Sequence, residues 1–378
     1  MKIYTKIIGT GMCVPETIIS NKAISDNPDW VQETLGIKTR RISNLNEDSL
    51  YLGTVSGGNA IRNAKISFDD IDMVIVATST PSQTTPSMAS IIKDNLGLSN
   101  AFPFDVAAVC NGFTVGLSVA NQYIISGTYK NILVIGTDTF SKITNWDDRN
   151  SVFFGDGSGA MVVSSSTETG FHGFSLGSSS VNRLGFDCKL GDTFTMNGRQ
   201  VYDTAIEHLP KMINEVLETS KMTIDDISYV VPHQPSIKIL REVAKRIGID
   251  ESKVMRNMDK YGNTVSATIP ILFHETKDKF KNIATINHSD NDLNKYSMFQ
   301  IFQWDENAEK LEFAIASIQN VEDQSFYHNL LHQYSLATGY NGKSIKRSSV
   351  EFYQYIGDFY EEWNAYHLNK TNQKLVKL

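Results

Sequence analysis

Short apolar runs alternate with amphipathic stretches through the first two thirds of the chain. Residues 3–8, 73–78, 131–137, 160–164 and 229–232 are rich in Val and Ile and are predicted to be strands. Several are apolar on both faces, which suits a buried parallel sheet with helices between its strands. The run through Phe113, Leu117, Ala120 and Ile124 has helical spacing and predicts a buried helix. Two stretches, DIDMVIVATST at 70–80 and DDISYVVPHQ at 225–234, each carry an acidic turn into a buried strand and suggest an internal duplication.

The pattern then changes. Of 25 glycines, all but Gly339, Gly342 and Gly357 precede residue 271. Aromatic residues crowd the far end, and residues 349–368 read as an amphipathic helix with an aromatic face. Residues 296–304 and 310–318 alternate apolar with polar and are expected to pair as a hairpin around 305–309. ATGYNGKS at 337–344 has the Gly-Lys-Ser of a phosphate loop, but polar flanks replace the strand and helix such a loop needs.

The 378 residues are 41% hydrophobic and 20% charged, an ordinary globular composition. A formal charge of −7 argues against a nucleic-acid coat, so no nucleic-acid partner is expected. No run of about 18 apolar residues predicts a membrane span. Cys13, Cys110 and Cys188 stand far apart with no CxxC pattern, against a disulfide framework or zinc site. A cytoplasmic location is expected.

Cys110 is the candidate nucleophile. It ends the strand-like FDVAAV and opens the apolar helical run, where the positive end of a helix dipole favours thiolate. A lone cysteine is more often a buried structural residue, so its partners must decide. They are His233 in YVVPHQPS, at the end of a strand, and Asn263 in KYGNTVSATIP, in a polar turn. A thiolate accepts an acyl group, while an imidazole and an amide hold a thioester carbonyl as charge develops on it.

At these residues the sequence resembles the β-ketoacyl-acyl-carrier-protein synthase III family of the thiolase fold. YTKIIGTGMCVPE, DWVQETLGIKTRRI, DVAAVCNGF, ILVIGTDT, DDRNSVFFGDGSGAMVV, VVPHQPS and GNTVSATIP occur in the family's order, over about residues 1 to 275. The resemblance implies a duplicated α/β/α/β/α sandwich, with halves at 1–168 and 169–290 and a divergent C-terminal module at 291–378. It also implies that Cys110 takes an acyl group from acyl-CoA or an acyl carrier protein. His233 and Asn263 then bind malonyl-carrier for decarboxylative condensation, without metal or redox cofactor, in a homodimer. Trp30, Arg149, Phe113, Lys238 and Arg241 are the expected substrate-binding residues. Trp30 and Arg149 match the pair that sandwiches the CoA adenine; Lys238, Arg241 and Lys245 would share one helix face toward an acidic carrier.

Four features depart from the family, the first being Lys238, which stands where the family has a carrier-contacting Arg. Thr34 stands where a basic residue is usual, and Arg199 falls near the place of the pantetheine-contacting Asn. The GFGGG-type closing loop, which supplies an oxyanion donor, has no counterpart after Pro270. Acyl transfer to an alcohol or amine, and a non-catalytic partner subunit, stay open as alternatives.

Overall fold

The structure is a computed structural model that describes residues 2–286 apart from 169, 178–184 and 190. The expected hairpin, aromatic helix and Gly-Lys-Ser segment of the C-terminal module lie outside the described residues.

A five-stranded sheet orders its strands β1 (Tyr4–Cys13), β7 (Gly157–Ser166), β6 (Asn131–Asp138), β4 (Met73–Ala77) and β5 (Phe102–Val106). Four of the predicted strands are here. Only β5, β4 and β6 run parallel; β7 is antiparallel to both β6 and β1, which corrects the all-parallel expectation. Burial on both faces reports the layers above and below a strand and is silent about its direction. The segment 229–232 forms no ladder among the described residues, only a bridge between Val230 and Val254.

Period-two alternation divides the core. Val74, Val76, Leu133 and Ile135 face α2 (Ser49–Ala64) and α3 (Met88–Asn95). Met73, Ile75, Ile132 and Val134 face α4 (Gly112–Ile125) and α8 (Thr268–Ile286). Neither face of β4 or β6 meets water, so all their side chains can be apolar.

A second cluster packs α1 (Pro28–Leu35), α5 (Gly198–Thr219) and α6 (Ile237–Ile247) around Val230 and Val254. Local signals set these helices. Asn27 caps α1 by accepting from the Trp30 N–H, with Pro28 in the first turn, and Gly36 ends the helix at φ +82°. Ser236 caps α6, placing Lys238 in its first turn.

The two stretches read as a duplication share a local device. Ser67 and Asp70, and again Thr223 and Asp226, form capping boxes around short 3-10 turns. Each turn leads into a buried isoleucine, Ile71 or Ile227. No helix among the described residues is long and apolar enough to cross a membrane.

Candidate active site

Cys110 follows β5 in a 3-10 turn, Val109–Asn111, and α4 begins two residues later at Gly112. Val109 adopts φ +47°, a strained conformation for a β-branched residue. Val265 repeats it at φ +54° in the turn Val265–Ala267, and the two turns pack against each other. Cys110 rests on the cluster of Phe140, Phe154, Phe194 and Val265.

The thiol is not the thiolate expected from a helix end. Burial, and then the charge of Asp138, push it up to about 12, while its own backbone N–H pulls weakly the other way. The helix-end effect is worth about 0.3–1 kcal/mol at an exposed site, too little against desolvation.

Asn263 is held by backbone on both sides. Its N–H donates to the Phe153 carbonyl and its own carbonyl accepts from Gly155 N–H, each at 3.0 Å. The close approach explains Gly155, because a Cβ there would collide with the Tyr261 carbonyl. The side-chain Oδ1 accepts from the Val265 N–H at 2.8 Å, which leaves the amide NH₂ as the donor available to a ligand.

His233 sits beyond Val231 with Nδ1 2.6 Å from the Thr268 hydroxyl oxygen, and burial pushes the imidazole down to about 4. The ring is therefore neutral near pH 7. Thr268 also reaches the Val265 carbonyl at 3.0 Å. Val265 thus joins all three candidates: Cys110 packs on its cluster, its N–H holds Asn263, and its carbonyl lies against the partner of His233.

A cavity of about 520 Å³ reaches Asn263 and is lined among others by Trp30, Arg149, Lys238, Arg199 and Phe154; Cys110 and His233 are not part of its lining. Phe154 belongs both to this wall and to the cluster under Cys110. The lining contains three cations and no carboxylate, as an anionic ligand requires. Thr34 lines it too.

Two of the expected substrate-binding residues fall elsewhere. Phe113 is fully buried in the core with Ile75, Val134 and Leu272 and does not line the cavity. The helical spacing that made it legible is a signature of core. Arg241 is exposed on α6 outside the cavity, paired with Glu251 at 2.9 Å. Lys238, Arg241 and Lys245 do share the exposed face of α6, as expected.

The roles of Asp138, Val265 and Thr268 escaped the sequence reading, although all three lie within the motifs named above. Among the described residues no group of three His, Cys, Asp or Glu side chains could hold a metal ion.

Cys110, a neutral His233 and Asn263 gathered around Val265 on a mixed five-stranded sheet fit an acyltransferase of the thiolase fold. Family models agree: that of 3-oxoacyl-[acyl-carrier-protein (ACP)] synthase III matches residues 104–180, and that of its C-terminal part matches 217–286. The β-ketoacyl-[acyl-carrier-protein] synthase III of Clostridium tetani is 39% identical over 301 residues, covering 72% of this chain and 90% of its own. The 3-oxoacyl-[acyl-carrier-protein] synthase III of Aquifex aeolicus superposes with a TM-score of 0.71 at 33% identity, over 73% of this chain and 92% of its own. The priming β-ketosynthase of the R1128 polyketide pathway gives 0.70 at 28%, over 72% and 87%. The chain belongs to the β-ketoacyl-acyl-carrier-protein synthase III family and is a condensing enzyme of the acyltransferase class.

Proposed function

We propose that the protein joins an acyl group to a malonyl-derived unit at Cys110. The Cys110 sulfur attacks an acyl-CoA or acyl-carrier thioester; the S–H proton goes to the leaving thiolate and the free thiol departs. Malonyl-carrier protein then enters, and Asn263 Nδ2 and His233 Nε2 donate to its thioester carbonyl. Loss of CO₂ leaves an enolate held by these two donors. Its carbon attacks the acyl-Cys110 carbonyl, the Cys110 C–S bond breaks, and a β-ketoacyl thioester forms. No step calls for a metal or redox cofactor. The Cys110 N–H supplies one donor to the oxyanion formed at each attack.

One observation carries this reading: His233 is neutral and Asn263 has its oxygen engaged, so both can present N–H groups rather than a charge. Two donors without a full positive charge suit a carbonyl that becomes an enolate and must then react.

In this reading Trp30 and Arg149 bind the nucleotide end of the donor. The exposed basic face of α6 meets the carrier protein. Among the described residues β5 ends the sheet with Phe102 exposed, an edge that supports pairing with a second copy in a homodimer. Halves at 1–168 and 169–290 are supported by the repeated capping boxes. The cytoplasm, where carrier and CoA thioesters are made, is the proposed location.

Intact-protein mass after mixing with acyl-CoA and acyl-carrier thioesters tests the proposal. An acyl adduct is expected on the wild type and absent from Cys110→Ala. Asn263→Ala should still acylate but fail to form a β-ketoacyl product from malonyl-carrier. Acylation discharged to an alcohol or amine, with no condensation, would favour the alternative acceptor; no adduct from any donor would overturn the enzyme reading.

A further inference from the structure

Asp138 ends β6 and is completely buried. Its Oδ1 accepts from the Ser79 N–H at 2.7 Å and the Thr80 hydroxyl at 3.0 Å, both in the segment after β4. Its Oδ2 accepts from the Ser266 N–H at 3.0 Å and lies 2.6 Å from the Ser266 hydroxyl. Ser266 comes from the turn next to Asn263, more than 120 residues away in sequence, so one carboxylate ties two distant segments together. Gly136 marks the same contact: a Cβ there would collide with the Ser266 carbonyl.

The groups facing this carboxylate are few. From the segment after β4 come Thr78, Ser79 and Thr80; from the 263–268 turn comes Ser266. Helix α2 contributes Ser49, through Thr80 and Thr139. From the turn before α4, which packs on the turn of Ser266, the titratable neighbour is the Cys110 thiol. None of the ion pairs among the described residues includes Asp138. Five donors replace the water a buried carboxylate loses, while no ion pair among the described residues neutralises its charge.

We propose that Asp138 is a positioning residue: its carboxylate locks the Asn263 turn to the strand ends and, through the packed turns, holds the segment that carries the nucleophile. The first role follows from the donor set. The second follows from the packing of the Cys110 turn on the turn of Ser266, and at that short remove the carboxylate charge opposes ionisation of the thiol, which protects it from alkylation and oxidation. Ser266 links the two roles. Its hydroxyl has one hydrogen and two acceptors, Asp138 Oδ2 at 2.6 Å and the Ala77 carbonyl at 2.9 Å. A charged Asp138 draws that hydrogen to itself; a neutral one releases it to Ala77.

The inference rests on Cys110 being the nucleophile, but its test does not need condensation. The rate at which iodoacetamide modifies Cys110 is followed from about pH 5 to 9 by peptide-resolved mass, which separates Cys110 from Cys13 and Cys188. The wild-type profile should bend near pH 6, to which burial pushes the Asp138 carboxyl up. In Asp138→Asn the bend should vanish and modification above it should be faster, about tenfold for each pH unit by which the thiol falls. Ser266→Ala removes a donor to the charged carboxylate and should move the bend upward. An unchanged profile in Asp138→Asn, or a bend that survives it, overturns the proposal. If that variant does not fold, the wild-type and Ser266→Ala profiles decide, and no bend or an unmoved one overturns it. As a separate arm, Asp138→Asn should keep the acyl adduct while kcat for condensation falls with little change in the carrier KM. Wild-type protein that never condenses would defeat the proposed reaction and leave the alkylation outcome as the test of Asp138.

Discussion

The Thr268 hydroxyl oxygen lies 2.6 Å from His233 Nδ1 and 3.0 Å from the Val265 carbonyl oxygen. Its single hydrogen can serve only one of them, and the shorter contact is to the imidazole. When that hydrogen goes to Nδ1, the proton of the neutral ring sits on Nε2, the tautomer that can donate to a substrate carbonyl.

Thr268→Val keeps the branched shape and removes the hydroxyl. Condensation kcat should drop at least about tenfold, bounded by the roughly 10²–10³ expected for losing an oxyanion donor outright. Acylation of Cys110 should persist, and Thr268→Ser should restore condensation. Steady-state kinetics beside adduct mass reads all three.

Gly136→Ala should destabilise the fold by roughly 1–3 kcal/mol, because its new Cβ meets the Ser266 backbone and not a movable side chain. Urea unfolding measures the loss. Residual folded protein should condense poorly, since the displaced segment carries Asn263.

Lys238 makes no ion pair among the described residues, whereas Arg241 is paired with Glu251 at 2.9 Å, which also takes Arg256 at 2.7 Å. Lys238→Glu should therefore raise the carrier KM more than Arg241→Glu does. Both effects should shrink as salt is raised, because exposed charges are screened. Equal effects of the two would remove the electrostatic argument for this face.

His274 is half-buried against Thr10, and desolvation pushes it down to about 3 from the ordinary 6.5. The unfolded chain then binds one more proton than the folded one between those values. Stability from this group is present above about pH 6.5 and is lost as pH falls toward 3. In His274→Gln the slope of unfolding free energy against pH should decrease by up to about 1.4 kcal/mol per pH unit in that window. Denaturant melts at several pH values test it.

Strands and helices were legible because their signals are local. Val74 and Val76 alternate with Met73 and Ile75 whatever lies on either side, and Asn27, Ser236 and Gly36 act on their own helix ends. Cys110, His233 and Asn263 could be named as a set because their motifs stand in a recognisable order. Strand direction was not legible, since the antiparallel β7 has an apolar stretch, residues 160–163, as buried as that of the parallel β4. The helical spacing of Phe113 predicted its burial, and the structure places it in the core; the substrate-binding role that the family resemblance implied for it finds no support in the cavity lining.

By itself, then, the sequence determined four of the five sheet strands, the family and the set of candidate residues, all carried by neighbours in the chain. Tertiary structure alone decided that Val265 joins the three, that Cys110 rests as a thiol and His233 as a neutral ring, and that Asp138 ties two segments together. Those outcomes depend on desolvation and on contacts across more than a hundred residues, and neither has a local period to read.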